Sequence, residues 1–569
     1  MENAQVADVL DEIADLLELK DANEFRIRSY RGAARKIRGM SERLEDLLEQ
    51  DRDLTEISGI GDSMAERIPR ILETGTCKRL EDLREEVPAE LTKIMKVPGL
   101  GPRKAMTLHE ELGVGSLDEL KKACQENKVR DVEGMGEKTE QKILEGIEML
   151  SGTVGRVLYQ KAEQHAETLA RQLNDCDAVQ RWEIAGSFRR RKETVGDLDI
   201  LVRASDRKKA AEAIVAFDDL DDVIQKGKEK VSVRLTGGLR VDFRFFKEKA
   251  FGSALMYFTG SKAHNISLRR IAQDNDWKLN EYGLFKNDNL LAGKNEEGLY
   301  HRLNLAWVPP EMREDRGEVD LAADDDLPDL IELDDIHGDL QCHTTASDGE
   351  NTIRSMAEAA KDRGYYYLAI TDHSQAVSVT RGLDEDGLRK HADAIRKADD
   401  DMNRFWILAG VEVDILKSGK LDLKEKVLEE MDWVVASVHS YFDLGEKEMT
   451  DRLIKAVESG VVDVLGHPLG RQIGKRSAIS VNLDRLFEAC AENDVCLEIN
   501  AQPDRLDLPD IHCQAAKEAG VKFTVSTDAH KAEDLGWMHY GIGAARRGWL
   551  TAKDVLNTLT LSQLRKRLG

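Results

Sequence analysis

The stretch Trp182-Glu-Ile-Ala-Gly-Ser-Phe-Arg-Arg-Arg-Lys-Glu-Thr-Val-Gly-Asp-Leu-Asp-Ile-Leu201 reads as a strand, a Gly-Ser turn, a basic half-turn and a second strand carrying Asp197 and Asp199. Side chains alternate across a strand, so the two carboxylates point the same way while Leu198 and Ile200 point into a core. Two aligned carboxylates beside a Gly-Ser turn suit a pair of divalent cations held against a triphosphate. That chemistry points to nucleotidyl transfer. A third carboxylate should complete the set, and Leu239-Arg-Val-Asp-Phe-Arg-Phe-Phe246 supplies Asp242. Val241, Phe243 and Phe245 share one face of that strand, and Arg240, Asp242 and Arg244 share the other. An Asp on a buried sheet needs a partner. Either a metal ion provides it, or Arg240 or Arg244 does so on a solvated face.

Upstream, residues 1–85 read as helical. Val6, Val9, Leu10, Ile13, Leu16 and Leu17 recur at helical spacing, and Asn23–Ile37 is a basic helical segment carrying Tyr30. A short unit then repeats: Ser58-Gly-Ile-Gly-Asp-Ser-Met-Ala-Glu-Arg-Ile68, Pro98-Gly-Leu-Gly-Pro-Arg-Lys-Ala-Met106 and Glu133-Gly-Met-Gly-Glu-Lys-Thr-Glu-Gln-Lys-Ile143. Each is Gly-apolar-Gly opening a helix. The glycines permit a tight hairpin, and the exposed N–H groups of the helix start can hold a backbone phosphate without reading sequence. Three copies predict helix-hairpin-helix DNA binding through Gly59, Gly61, Gly99, Gly101, Gly134 and Gly136. The plainer reading is three ordinary helix caps.

A chain of 569 residues is too long for one core, so three to five domains are expected. With 41% hydrophobic and 34% charged residues the composition fits soluble globular domains. The chain lacks the long apolar run of a membrane span, and Met1-Glu-Asn-Ala-Gln-Val-Ala-Asp8 lacks the basic and apolar regions of a signal peptide. The seven scattered cysteines form no Cys-x-x-C pair, which fits a reduced cytoplasm without a disulfide framework. A net charge of −25 argues against nucleic-acid binding if taken alone. However, residues 311–335 hold 12 acids against 2 bases, so part of the excess is local, and basic patches elsewhere remain free to meet phosphate.

Taken together, these motifs resemble a family X DNA polymerase, related to DNA polymerase beta, of the bacterial and archaeal type with a C-terminal PHP (polymerase and histidinol phosphatase) domain. The resemblance covers nearly the whole chain. It implies a multidomain α/β protein: an N-terminal helical DNA-binding domain (1–85), a helix-hairpin-helix fingers-like domain (86–150), a nucleotidyltransferase palm (151–254), a thumb-like subdomain (255–310), an acidic linker (311–335) and a distorted (β/α)7 PHP barrel (336–569). It further implies that Asp197, Asp199 and Asp242 hold Mg2+ or Mn2+, and that Ser187, Arg190 and Gly196 hold the β- and γ-phosphates of an incoming dNTP. In Tyr257-Phe-Thr-Gly-Ser261, Tyr257, Phe258 and Gly260 would form the sugar-contacting turn, with Asn265 on the nucleotide's minor-groove edge and Arg269 on the template. Read from the residues alone, Tyr257 and Phe258 are equally plain core. One departure stands out. The position of the family's Schiff-base lysine is Arg67, and a guanidinium is a poor nucleophile, so lyase chemistry there is doubtful. Nothing in the sequence singles out Lys36, Lys78 or Lys104 as a substitute.

Ten of the thirteen histidines lie beyond residue 300, several just after short apolar runs at 366–370, 405–410, 433–438, 462–466, 495–500 and 521–526. Repeated strand–helix units of that spacing predict a parallel barrel, whose C-terminal strand ends build the active site. Imidazoles and carboxylates gathered there suit Zn2+ and/or Mn2+. The resemblance carries over His343, Asp348, His373, Glu412, His439, His467, Asp528 and His530 as ligands. Gln341 replaces the first histidine of the usual His-x-His, and its amide is a weaker ligand. Strand alternation turns Cys342 away into the core. In this family the domain implies 3′→5′ exonuclease activity and sometimes cleavage at abasic sites.

The leading expectation is a short-gap repair polymerase that trims 3′ ends, acting on gapped or primer-template DNA and dNTPs, with no membrane partner, as a monomer in the cytoplasm. Three alternatives stand beside it: another nucleotidyltransferase with the same core, a phosphatase of small monoesters, and a non-catalytic DNA-end scaffold.

Overall fold

The computed structural model describes residues 3–20, 22–38, 40, 44–49, 52–57, 59–87, 91–94, 97, 100, 102–132, 134–137, 139–140, 143–144, 156–376, 380–474, 476 and 478–568. They form two compact units, Met1–Arg156 and Val157–Gly569.

The first unit is helical. Helix Asn3–Leu19 buries Leu10, Ile13 and Leu17, and helix Glu24–Arg38 buries Tyr30, Ala33 and Ile37. Arg31 ties the pair with hydrogen bonds to Asp15 and Glu18, each 2.7 Å. A single core runs from Val6 to Ile143, so the stretches expected as separate domains at 1–85 and 86–150 share their interior. The three repeats share one hydrogen bond. The apolar residue between the glycines donates its N–H to the carbonyl three residues back: Ile60 to Ile57 at 2.9 Å, Leu100 to Val97 at 2.9 Å, Met135 to Val132 at 3.0 Å. All three apolar side chains are buried. Gly59 and Gly134 have φ of +97° and +78°, which other residues adopt at a cost. A Cβ at Gly59, Gly61, Gly134 or Gly136 would meet nothing within 4 Å, so these turns are open to a ligand. Gly99 and Gly101 lie outside the described residues.

The second unit begins with the palm. Its five-stranded sheet runs, in spatial order, Val179–Ile184, Asp197–Ala204, Arg240–Phe245, Lys230–Leu235 and Leu220–Lys226. Only the central pair, Asp197–Ala204 with Arg240–Phe245, is parallel, and its register sets Asp199 beside Asp242. Leu198, Ile200, Val202, Val241 and Phe243 fill one face against helices Tyr159–Asn174 and Arg207–Ile214. Leu201 turns to the opposite face, under helix Glu248–Thr259. Asp197 and Asp199 share that parity and stand beyond the packed part of the face.

The thumb follows, with helices Lys262–Asp274 and Glu296–Arg302 around a three-stranded antiparallel sheet. Residues 311–335 differ from the linker expected. They hold a 3₁₀ turn at Pro310–Met312 and a helix at Glu318–Ala323, and they bury Glu311, Met312, Arg313, Glu318 and Ile331. Their acids are counter-ions rather than a solvated spacer: Glu311 pairs with Arg546, and Glu314 with Arg190 and Arg547. Glu318 accepts the N–H groups of Asp315 and Arg316 and faces the His264 ring.

Arg313, fully buried, shares Glu296 with Arg189, at 2.7 Å each. Burial would raise the Glu296 carboxyl, but Arg313 and Arg189 hold it down at about 2. A depressed carboxyl contributes stability above its unfolded value and loses it as pH falls through the folded one. The urea midpoint is therefore expected to drop steeply between pH 4.5 and 2. Glu296→Gln should cost about 3 kcal/mol at pH 7 and flatten that drop, because it leaves the buried Arg313 and the half-buried Arg189 without their carboxylate. An equally steep drop in the variant would contradict this.

The barrel closes the chain. Seven parallel strands follow in sequence order: Gly338–Cys342, Tyr367–Ile370, Trp406–Asp414, Trp433–Ser437, Val464–Leu465, Cys496–Asn500 and Phe523–Ser526. The last returns beside the first, where His343 N–H donates to the Ala529 carbonyl at 2.8 Å. Leu340, Leu408, Trp433 and Val435 plug the interior, with Leu564 of the final helix below them. Cys342 is buried in the outer core, as strand alternation required.

Two candidate catalytic centres

In the palm, the Gly-Ser turn opens a single helical turn, Gly186–Arg189, directly beside the Asp strand. Ala185 N–H donates to the Asp199 carbonyl at 2.7 Å. Gly186 has φ +66°, and a Cβ there would lie 3.4 Å from Asp199 Oδ2, so glycine gives the carboxylate its room. Asp199 and Asp242 converge on one guanidinium: Arg244 reaches Asp199 Oδ1 at 3.3 Å and Asp242 Oδ2 at 3.2 Å. Lys230 at 2.6 Å and Arg240 at 3.1 Å complete the cationic surround of Asp242. Both readings of Asp242 thus meet here: it is a buried carboxylate, and without an ion its neighbours are cations. Burial, with Asp197 and Asp242 adding repulsion, raises the Asp199 carboxyl to about 6. Burial would also raise Asp242, but Lys230 and Arg240 hold it below the ordinary range.

The nucleotide-side residues gather around the same turn. Arg190 donates from Nε to Glu314 at 3.0 Å and from Nη1 to the Thr259 carbonyl. Phe258 lies under the Arg244 guanidinium, 4.4 Å from ring centroid to carbon, and Tyr257 packs edge-on to Phe258 at 5.1 Å. Ser261 caps helix Lys262–Asp274 by accepting the His264 N–H at 3.2 Å. Asn265 donates to the Tyr257 carbonyl at 2.7 Å, while its own Oδ1 is buried with no partner. Arg269 Nε bonds the Asn265 carbonyl at 3.1 Å. Ser187 and Gly196 flank the turn, half-buried.

The second centre sits at the C-terminal mouth of the barrel. Glu412 is its hub. Its Oε2 faces His373 Nδ1 at 3.0 Å and His343 Nε2 at 3.5 Å; its Oε1 faces His467 Nε2 at 3.1 Å and His439 Nε2 at 3.4 Å. The strand that carries Glu412 runs two residues beyond it, to Asp414. Asp528 Oδ1 stands 3.0 Å from His343 Nε2, and Asp348 faces His530 at 3.5 Å and His373 at 3.6 Å. Three ligand-type groups are tight enough to hold an ion as they stand: His343, Asp348, His373 and His530; His373, Glu412 and His439; and His343, Glu412 and Asp528. The palm triad is not among such groups; there Arg244 bridges Asp199 and Asp242.

The barrel donor set fits metal ions. Both ring nitrogens of His343, His373 Nδ1, His467 Nδ1, Glu412 Oε2 and Asp528 Oδ1 are buried without a hydrogen-bond partner. Groups of that kind are costly unless something binds them. Gln341 is fully buried with both amide atoms unpaired, so it faces the same interior that a histidine would. Burial lowers His373 to about 4. Against burial, Glu412 and Asp414 raise His439 to about 9, and Asp348 and Asp528 raise His530 to about 10.

Sequence reading missed the groups that orient these ligands. Asp372 accepts from Thr344, Ser347 and His391, pinning the loop that carries His343 and Asp348. Asn500 and Gln502 each donate to Asp528 Oδ2 at 3.0 Å, leaving Oδ1 for the cluster. Asp414 Oδ1 lies 2.9 Å from His439 Nδ1. Such outer partners fix ring orientation and raise ligand basicity. Asp414 was legible, since Glu412-Val-Asp414 repeats the same-face spacing of Asp197 and Asp199. His391, on a helix, gave no signal.

The chain matches the DNA polymerase beta palm over residues 156–270, the DNA polymerase beta thumb over 254–314 and the PHP domain over 339–502. A helix-hairpin-helix domain matches residues 1–77, and a SAM-like helix-hairpin-helix tandem matches 94–149. Among curated proteins, a DNA polymerase/3′-5′ exonuclease PolX of Bacillus subtilis is 38% identical over 568 residues, 99% of each chain. Probable phosphatases of Aliivibrio fischeri and Caldanaerobacter subterraneus are 27% and 29% identical, over 39% and 41% of this chain and 89% and 93% of their own. No described helix is long and apolar enough to cross a membrane. With palm, thumb and histidine-lined barrel in one chain, and that identity sustained from end to end, the chain belongs to the family X DNA polymerases that carry a C-terminal PHP domain.

Proposed function

We infer that the chain fills short DNA gaps by template-directed nucleotidyl transfer and trims 3′ ends with its barrel, the two activities named for the Bacillus relative. One observation carries this reading: Asp199 and Asp242 stand in register on adjacent parallel strands beside a Gly-Ser turn. Asp197, Asp199 and Asp242 hold Mg2+ or Mn2+ there, and the bound cations would supply Lewis-acid activation of a primer 3′-oxygen and stabilise the leaving pyrophosphate. The protein's own part is positioning and charge. Ser187, Gly196 and Arg190 hold the β- and γ-phosphates; Arg190 Nη2 is the guanidinium nitrogen left after its bonds to Glu314 and Thr259. Tyr257, Phe258 and Gly260 set the sugar, Asn265 the base edge and Arg269 the template. Arg244 and Lys230, now paired with these carboxylates, would have to yield them to a bound cation. The hairpin glycines Gly59, Gly61, Gly99, Gly101, Gly134 and Gly136 track the DNA backbone.

In the barrel, His343, Asp348, His373, Glu412, His439, His467, Asp528 and His530, with Gln341 as a weak ligand, hold Zn2+ and/or Mn2+, which would supply an activated water for phosphodiester hydrolysis. Abasic-site cleavage is a further activity of the same site. Arg67 donates to the carbonyl and hydroxyl of Ser63, so it serves the first hairpin rather than Schiff-base chemistry. A monomeric state and a cytoplasmic setting complete the proposal; the unpaired state of all seven cysteines supports the last.

A labelled primer in gapped duplex DNA tests both halves. With Mn2+ and dNTPs the primer should lengthen to fill the gap, and with Mn2+ alone it should shorten from its 3′ end. A chelator should stop both. Release of phosphate from small monoesters, with no change in primer length under either condition, would instead favour the phosphatase reading.

A further inference from the structure

The palm's phosphate turn is packed against the barrel. Helix Met538–Arg547, between the last barrel strand and the chain's end, lies on residues Tyr159 and Phe188–Arg191. Tyr540 meets Tyr159 edge-on at 6.0 Å, and Tyr159 stacks on Phe188 at 4.7 Å. Arg191 Nη1 donates to the His539 carbonyl at 3.3 Å. Gly543 lies beneath Arg191, and a Cβ added there would come within 3.1 Å of Arg191 Cδ.

The last residue of that helix reaches furthest. Arg547 Nη1 donates to the Arg190 backbone carbonyl at 2.8 Å and to Glu314 Oε1 at 3.1 Å. That same Glu314 oxygen accepts from Arg190 Nε at 3.0 Å. Arg547 Nη2 donates to Asp510 Oδ2 at 2.6 Å, and Asp510 also binds Arg316 at 3.0 Å. Arg547 is only 3% exposed, so these charge-assisted bonds act in a low dielectric and fix geometry firmly. The cluster of Arg190, Arg316, Arg547, Glu314 and Asp510 holds three positive and two negative groups, leaving a net positive charge. A carboxylate shared by two arginines orients Arg190 without cancelling its charge.

We propose that Arg547, a residue of the nuclease barrel, is a positioning residue of the polymerase site, holding Arg190 toward the triphosphate of the incoming nucleotide through Glu314 and the Arg190 carbonyl. It rests on the reading of Ser187 and Arg190 as phosphate holders. The barrel then does more than trim ends: its outer wall supports the nucleotide turn.

Steady-state single-gap filling by the full-length protein tests this, with exonuclease rates measured on the same DNA without dNTPs. Arg547→Lys keeps the charge but loses the two-pronged fork. It should raise the dNTP KM about tenfold, with kcat and the exonuclease rate within about twofold of the parent. Gly543→Ala breaks no ion pair and suits a helix, yet presses on Arg191; it should raise the dNTP KM about threefold, again without touching the nuclease. A dNTP KM unchanged in Gly543→Ala and in folded Arg547→Lys would overturn the proposal, and if Arg547→Lys fails to fold, Gly543→Ala alone decides. A parallel fall of synthesis and nuclease in both variants would also overturn it, since that marks a purely structural role. Ser187→Ala and Arg190→Gln separate the two levels. If they leave the dNTP KM unchanged, the phosphate reading itself fails and takes this proposal with it. If they raise it while Arg547→Lys and Gly543→Ala do not, only the positioning role fails.

Discussion

Asp242→Ala is expected to cut gap filling by a factor of at least about a thousand while leaving 3′→5′ trimming within about twofold of the parent. The reason lies in what surrounds the side chain. Asp242 is almost fully buried, and its carboxylate faces Lys230, Arg240 and Arg244. Removing it leaves those cations beside Asp199 with one fewer acid to offset them. The pocket would then disfavour a divalent ion, which would supply the activation of the attacking oxygen. The proposed nuclease ligands belong to the barrel strands and their loops, and among the described residues none of them bonds to the palm carboxylates. Primer extension and primer shortening, read on one gel with circular dichroism as the folding check, decide the matter. Loss of both activities in a folded variant would contradict the division of labour, as would persistence of synthesis.

Glu412→Gln is the converse. The substitution keeps the side-chain volume and removes the one carboxylate that four imidazoles face, at 3.0 to 3.5 Å. Trimming is expected to fall by at least about a thousandfold, with gap filling within about twofold. Metal content measured by mass spectrometry should fall by at least one ion per chain. That readout is independent of turnover, because a ligand lost from a closed cluster weakens binding whatever the substrate. Unchanged metal content with lost trimming would mean that Glu412 acts on the substrate and not on the ions. Metal uptake should also weaken as pH falls, since protons compete with the ions for the ring nitrogens of His439 and His530.

Much of this was legible in the chain because strands expose their parity. Asp197 and Asp199, with Leu198 and Ile200 between and after them, announced one polar and one apolar face, and the sheet has that form. The barrel strands were legible as short apolar runs, several of them ending near a histidine. The acidic stretch 311–335 was misleading, because composition cannot show where a counter-ion lies. Glu314 finds Arg547 more than two hundred positions away, and Glu311 finds Arg546 likewise. The same limit hid Asp372 with His391 and the carboxylate that joins Arg189 to Arg313. The hairpin repeats were legible as a motif, but not their shared hydrogen bond, which depends on the fold of the preceding turn.

The most direct measurement is anomalous diffraction from crystals of the protein with gapped DNA, a non-hydrolysable dNTP and Mn2+. Two peaks should appear in the palm, both within bonding distance of Asp197 and Asp199 and one within reach of Asp242, with the Arg244 guanidinium withdrawn from the carboxylates. Manganese found in the barrel alone, with Arg244 still bridging Asp199 and Asp242 over a bound nucleotide, would contradict the assignment of the palm as the site of DNA synthesis.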